Sequence, residues 1–142
     1  MATLAAAAAP SWFRIVGWAA VVWNAFGVVM YLSSVGLFGD PTAGLSAAER
    51  AAAESIPASI TAAFAIGTFA GLIGSLGLAM AKRWAWPMLL LSLVALVVLE
   101  GWIVFLSGHA EAFGLAIPIS VTVIAVILAF VAHRARSEGW LR

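Results

Sequence analysis

The sequence predicts an all-α membrane protein. It reads as an up-down bundle of four transmembrane helices, N-in/C-in, with a short outer-surface helix in the first loop. Three observations predict this. Hydrophobic residues make up 65% of the 142-residue chain and charged residues 9%, where a soluble domain carries roughly 25% charged residues. Four runs meet or approach the roughly 20 apolar residues that a spanning helix needs. The basic residues gather almost entirely at one end of those runs. An open sheet cannot cross lipid because its edge groups go unpaired, so the runs are read as helices. The length allows one domain, residues 1–142.

The first span runs from about Phe13 to Leu37. The alanine-rich stretch before it does not read as a secretory signal, since Arg14 follows the apolar run instead of preceding it. It is expected to be a frayed or surface-lying lead-in, cut off from the span by Pro10. The second span runs from about Pro57 to Ala81, with the proline in the first turn, where its missing N–H costs nothing. The third runs from about Ala85 to Ser107. The fourth runs from about Leu115 to Ala132, with Pro118 again in the first turn. The loop from about Gly39 to Ile56 is long for a bundle connection. Ser46 followed by Glu49 is a capping box, so a short helix is expected from about Ala47 to Glu54. It either shortens a loose loop or acts as a lid.

Arg14, Lys82, Arg83, Arg134, Arg136 and Arg142 flank one side, and only Arg50 the other. By the positive-inside rule both termini and the Lys82–Arg83 turn are expected in the cytoplasm, with Asp40, Glu49, Glu54 and Glu111 outside. Trp12, Trp84, Trp86 and Trp140, and less deeply Trp18, form an aromatic belt at the inner interface. Trp23 and Trp102 lie deeper. His133 with Arg134 and Arg136 suits an anchor for anionic lipid.

The exclusions are equally direct. The net charge of +1 leaves no nucleic-acid footprint. The chain has no cysteine, which removes disulfides, thiol redox chemistry and thiolate metal sites. His109 and Glu111 are two ligands without a third, a poor metal site. No nucleophile–base arrangement, phosphate loop or metalloprotease motif is present, so neither an enzyme nor a cofactor is expected. The two halves show no convincing repeat, which leaves a two-fold transporter repeat unsupported.

Small and polar residues carry what remains. Gly67 and Gly71 form a GxxxG pair that Gly74, Ser75 and Gly77 extend, a packing face for another helix of this chain or of a second protomer. In the first span Gly17, Ala20, Asn24, Gly27, Tyr31 and Ser34 recur at spacings of three and four and share one face. Asn24 is too polar to face lipid and calls for a hydrogen bond across helices. In the third span Ser92, Glu100 and Ser107 share a face. Glu100 lies roughly 10 Å below the outer boundary, counted at 1.5 Å per residue. The same depth falls near Tyr31, Thr61 and Thr122 on the other spans, so these four residues can meet in one layer and, with Asn24, make up a candidate intramembrane polar site. An acid at that depth is a functional hypothesis by default. The alternatives are structural glue and a tilt that brings Glu100 to outer water.

Trp23-Asn24 with Gly27 and Tyr31, Ala62-Ala63-Phe64-Ala65 ahead of a glycine-rich helix, the Arg83-Trp84-Ala85 turn and the terminal Gly139-Trp140-Leu141 together form a pattern. It resembles a family of small bacterial inner-membrane proteins with four helices, often labelled "sugar transporter". The resemblance covers nearly the whole chain. Its motifs are structural and bring no functional residues with them. It implies a bacterial inner-membrane location and adds weight to transport. Quinone-linked thiol oxidoreductases need cysteines that this chain lacks. Small multidrug exporters carry their acid on the first helix, which here has none. Four helices at ordinary density leave no solute path, so transport is expected to need a homo-oligomer. The rival expectation is an accessory or scaffold subunit of a larger membrane complex.

Overall fold

The computed structural model describes residues 8–108 and 110–142, and of residues 112 and 113 the backbone alone. The described residues form α1 (Ser11–Ser34), α2 (Ala47–Glu54), α3 (Ala58–Ala79), α4 (Ala85–Gly101), α5 (Ala110–Phe113) and α6 (Ala116–Ser137). A π-helical turn, Trp102–Leu106, continues α4. Four of these elements are long and apolar enough to cross a membrane: α1, α3, α4 with its π turn, and α6. Residues 1–7 of the expected lead-in lie outside the described residues.

The helix ends follow local chemistry. Pro10 precedes α1 and Pro57 precedes α3, both in extended conformation. The capping box forms as expected: Ser46 N–H donates to Glu49 Oε2 at 2.9 Å, and Glu49 N–H to Ser46 Oγ at 3.3 Å. Three long helices stop in the same way, with the chain crossing into the left-handed region just past the last turn. After α1, Gly36 (φ +83°) lets Leu37 N–H reach Leu32 O at 3.0 Å. This ends α1 at Ser34, three residues short of the expected Leu37. After α6, Gly139 (φ +72°) lets Trp140 N–H reach Ala135 O at 2.9 Å. Here the helix runs past the expected Ala132, because His133, Arg134 and Arg136 are good final-turn residues. After α3 the same role falls to Ala81 (φ +55°), with Lys82 N–H bonded to Gly77 O at 2.7 Å.

Neighbouring spans are antiparallel. Gly17 of α1 lies against Ala79 of α3, and Gly27 against Thr68. Gly77 of α3 meets Trp84 and Ala85, while Gly67 meets Leu96 of α4. Leu89 of α4 clusters with Leu128 of α6 near one end, and Leu96 with Val121 near the other. Packing runs in the order α1, α3, α4, α6. The hub is α3: over half of its apolar window is buried (56%), against 11% for α1. Lipid-facing surfaces carry Val22, Phe105, Phe130 and similar exposed apolar side chains, as a spanning bundle requires.

The end that carries the basic residues is closed. Phe13 is fully buried beside Leu78, Ala132, Ala135 and Leu141. Trp12 and Trp140 meet edge-on at 5.8 Å, and Phe13 and Trp140 at 5.5 Å. The segment after α6 bonds to the α3–α4 turn in both directions. Arg142 N–H donates to Ala81 O at 2.7 Å, and Arg83 N–H to Arg142 O at 3.1 Å. At the opposite end α2 packs on α5.

One side of the bundle is open. The helices α1 and α6 do not pack against each other over any length. A groove of about 300 Å³ lies between them, with α3 and α4 as its floor. This departs from the expectation of a bundle packed throughout. The cause is the distribution of side chains on α1: its small stripe faces α3, while Trp23, Phe26 and Met30 wall the groove and stand in the way of α6.

Candidate functional site

Two polar places lie within the spans. The first is a crossing where α1, α3 and α4 meet. Asn24 Nδ2 donates to Ala20 O on its own helix and to Ser75 Oγ on α3, each at 2.9 Å. Ser92 Oγ of α4 donates to Gly67 O of α3 at 2.6 Å. Between these two bridges sits Gly71. A Cβ there would collide with Asn24 Oδ1 and lie 2.9 Å from Ser92 Oγ. Glycine at 71 is what lets both polar side chains reach α3, Ser92 at the backbone and Asn24 at the Ser75 hydroxyl. Thr68, one turn away, donates to Phe64 O and Ala65 O at 3.0 and 3.1 Å and stays within its own helix.

The glycine face of α3 is therefore used within the chain. Gly67, Gly71, Gly74 and Gly77 are all buried. Added Cβ atoms at 67, 74 and 77 would meet Leu96, Leu89 and Trp84 of the α4 side at 2.7–2.8 Å. The stripe on α1 is the other half of the design. Gly17 would clash with the Ala79 backbone at 2.6 Å, while Gly27 has ordinary space, 3.5 Å from Thr68 Cγ2.

The second place is Glu100, half-buried near the C-terminal end of α4. Its Oε2 is buried and has no hydrogen-bond partner among the described residues. The π turn begins two residues later, and Ser107 N–H bonds back to Trp102 O at 2.9 Å, five residues away. Such a wide turn inserts about one residue into the helical repeat. It swings Ser107 away from the face that Ser92 and Glu100 were expected to share with it. Ser107 instead donates to Ile103 O at 2.8 Å.

Of the other residues counted to the depth of Glu100, Tyr31 stands edge-on to Phe64 and Phe69 at 5.5 and 5.9 Å. Thr61 donates to Pro57 O at 3.4 Å within its own helix. Thr122 is half-buried on α6. No hydrogen bond joins any of these three to Glu100 among the described residues. Asn24, grouped with them as an intramembrane polar residue, has its hydrogen bonds at the crossing with Ser75, deeper along α3.

The sequence reading missed the pairing of Ser92 with Gly67 O. Its signal was available: Ser92 is a small polar residue facing a glycine-rich neighbour. His109, named with Glu111 as a metal pair, lies outside the described residues. Among the described residues no group of three potential metal ligands occurs. His133 stacks obliquely on Trp86 with centroids 5.0 Å apart.

Four apolar spans in antiparallel order define the class: an integral, multi-pass membrane protein. No family model, curated protein or solved structure matches this chain.

Proposed function

We propose that this protein is a proton-linked transporter of a small solute, acting as a homo-oligomer in the bacterial inner membrane with both termini in the cytoplasm. The observation that carries the reading is Glu100, a carboxyl group in a spanning helix whose buried Oε2 has no partner. A buried acceptor left unpaired costs about 1–3 kcal/mol, and such a cost in a membrane helix marks a group with an intermittent partner. A proton, a cation or a donor on a passing solute would be that partner. The π turn directly after Glu100 points the same way, because such turns gather at functional sites. Apolar clusters at both ends of the bundle leave a single copy without a polar path. This supports a path between copies, along the exposed part of Glu100. The basic asymmetry of the sequence supports the orientation, and the resemblance to a transporter-labelled family agrees with the reading.

The test is flux in liposomes holding a pH-sensitive dye. Wild-type protein is expected to carry protons in response to a solute gradient, and Glu100→Gln is expected to be silent while folding normally. Equal flux from wild type and Glu100→Gln would end the proposal.

One observation favours a second reading, a non-catalytic accessory subunit. The side between α1 and α6 is unfilled and apolar, as a helix of a larger complex would require. Native mass spectrometry of protein extracted gently from its own membrane separates the two. Homo-oligomers alone support transport, and larger subunits in fixed ratio support the accessory role.

A further inference from the structure

The geometry points to the groove between α1 and α6 as a binding site for a hydrocarbon-bodied molecule that carries a hydroxyl group, held by Asn24 Oδ1. The site is separate from Glu100, which does not line the groove, and the inference stands whether or not Glu100 carries a proton.

Hydrogens are scarce at the groove floor. Its polar side chains are Asn24, Thr68 and Ser92, while the indole of Trp23, with its one N–H, stands on the wall. Both N–H groups of Asn24 are engaged, one by Ala20 O and one by Ser75 Oγ. The amide orientation is fixed by Ala20 O, which can only accept, so the atom facing it must be the nitrogen. The Ser92 hydroxyl hydrogen goes to Gly67 O. The Thr68 hydroxyl hydrogen goes to the carbonyls of its own helix. What the floor still offers is lone pairs, chiefly on Asn24 Oδ1, which accepts no hydrogen bond among the described residues. The floor can therefore accept from a ligand but not donate to one.

Apart from the Trp23 indole, the rest of the groove is apolar wall, from Phe26 and Met30 on one side to Val121 and Ile124 on the other. Its volume of about 300 Å³ falls at the small end of ligand cavities. A molecule with an apolar body and one hydroxyl satisfies wall and floor together. An ether or ketone of the same length satisfies the wall and leaves Asn24 Oδ1 without a donor, in a medium that supplies none. A plain acyl chain does the same.

The experiment uses full-length protein in lipid nanodiscs and two photoreactive probes. One is dodecanol with a diazirine in mid-chain, and the other is its methyl ether. Labelled peptides are mapped by mass spectrometry. The alcohol is expected to label groove residues of α1 and α6 at about one fifth of the ether's concentration, the weight of one hydrogen bond. Ala125→Phe, which fills the groove without touching the polar crossing, is expected to abolish labelling by both. Asn24→Leu is expected to equalise the two probes. Should that variant unfold, the comparison on wild-type protein still decides. Equal labelling of wild type by alcohol and ether would overturn the proposal and reduce the groove to an acyl-chain furrow. Absence of groove labelling by either probe would overturn it as well, and would mean that another helix covers the groove.

Discussion

Gly71 sits where a side chain from each neighbouring helix closes on α3, and the glycines around it differ sharply in what they allow. A methyl group at 71 must displace Asn24 Oδ1 and Ser92 Oγ, which hold two interhelical bridges. Gly71→Ala is expected to destabilise the protein by about 1–3 kcal/mol, the usual cost of overpacking a fitted interface. Gly27→Ala places its methyl at 3.5 Å from Thr68 Cγ2, an ordinary contact, and is expected to change stability by less than about 1 kcal/mol. Thermal unfolding in mild detergent compares the two, and equal losses would refute the assignment. At this scale the sequence was informative about type and silent about partner. GxxxG spacing announces close approach, but Leu96, Ser92 and Leu89 on α4 could be matched to Gly67, Gly71 and Gly74 only in three dimensions. Glu100 was legible as an acid in a span. Its missing partner was not, because hydrogen bonding between helices has no sequence period.

At the level of elements, helix stops are set by one residue each. Ala81 performs a turn that Gly36 and Gly139 perform elsewhere, at a left-handed φ that costs an L-residue roughly 1–2 kcal/mol. Ala81→Gly removes that strain and adds freedom to the unfolded chain. The expected net gain is under about 1 kcal/mol, read as a small rise in the thermal midpoint. Gly36→Ala should act in the opposite sense by about 1 kcal/mol. The loop helix α2 answers to pH. Hydrogen bonds from the Ser46 side chain and then its backbone N–H hold the Glu49 carboxyl below its usual 4.5. The Thr42 backbone N–H and hydroxyl do the same for Asp40 below 3.8. Both pKa values are depressed by folding, so their stabilising effect is complete above the ordinary carboxylate range and is lost as pH falls through it. Amide protection factors in α2, taken relative to intrinsic exchange at each pH, are expected to fall below about pH 4 while those of α3 hold. Unchanged α2 protection at low pH would refute this. The capping box was readable because its two residues are three apart. The end of α1 carries a signal too, Gly36 as a left-handed stop, which a span drawn on hydropathy alone to Leu37 passes over.

In the whole molecule, closure at one end and opening along one side come from the same chain economy. The residues after α6 fold under the bundle, where Leu141 is almost fully buried and Arg142 bonds to the α3–α4 turn. Leu141→Ala is expected to cost about 2 kcal/mol, the low end for a core leucine at a site beside solvent. Denaturant titration in micelles measures it, and a loss below about 0.5 kcal/mol would show that the segment is ornamental. The number of spans and their antiparallel order were legible from hydropathy and from short turns. The open α1–α6 side was not, because it depends on which face of α1 the small residues occupy relative to α3, and a single helix records the stripe but not the neighbour it chooses.

The attachment of α1 chiefly to α3 also bears on how the chain is made. Asn24 is translated 51 residues before Ser75, its partner. At roughly 5–20 residues per second that interval lasts about 3–10 s. During it the amide has Ala20 O for one N–H and nothing across the helix for the other. Release of α1 into open lipid at that stage would expose that second N–H to hydrocarbon. The nascent first span is therefore expected to linger at the insertion machinery until the glycine-rich helix emerges, and the two should leave as a pair.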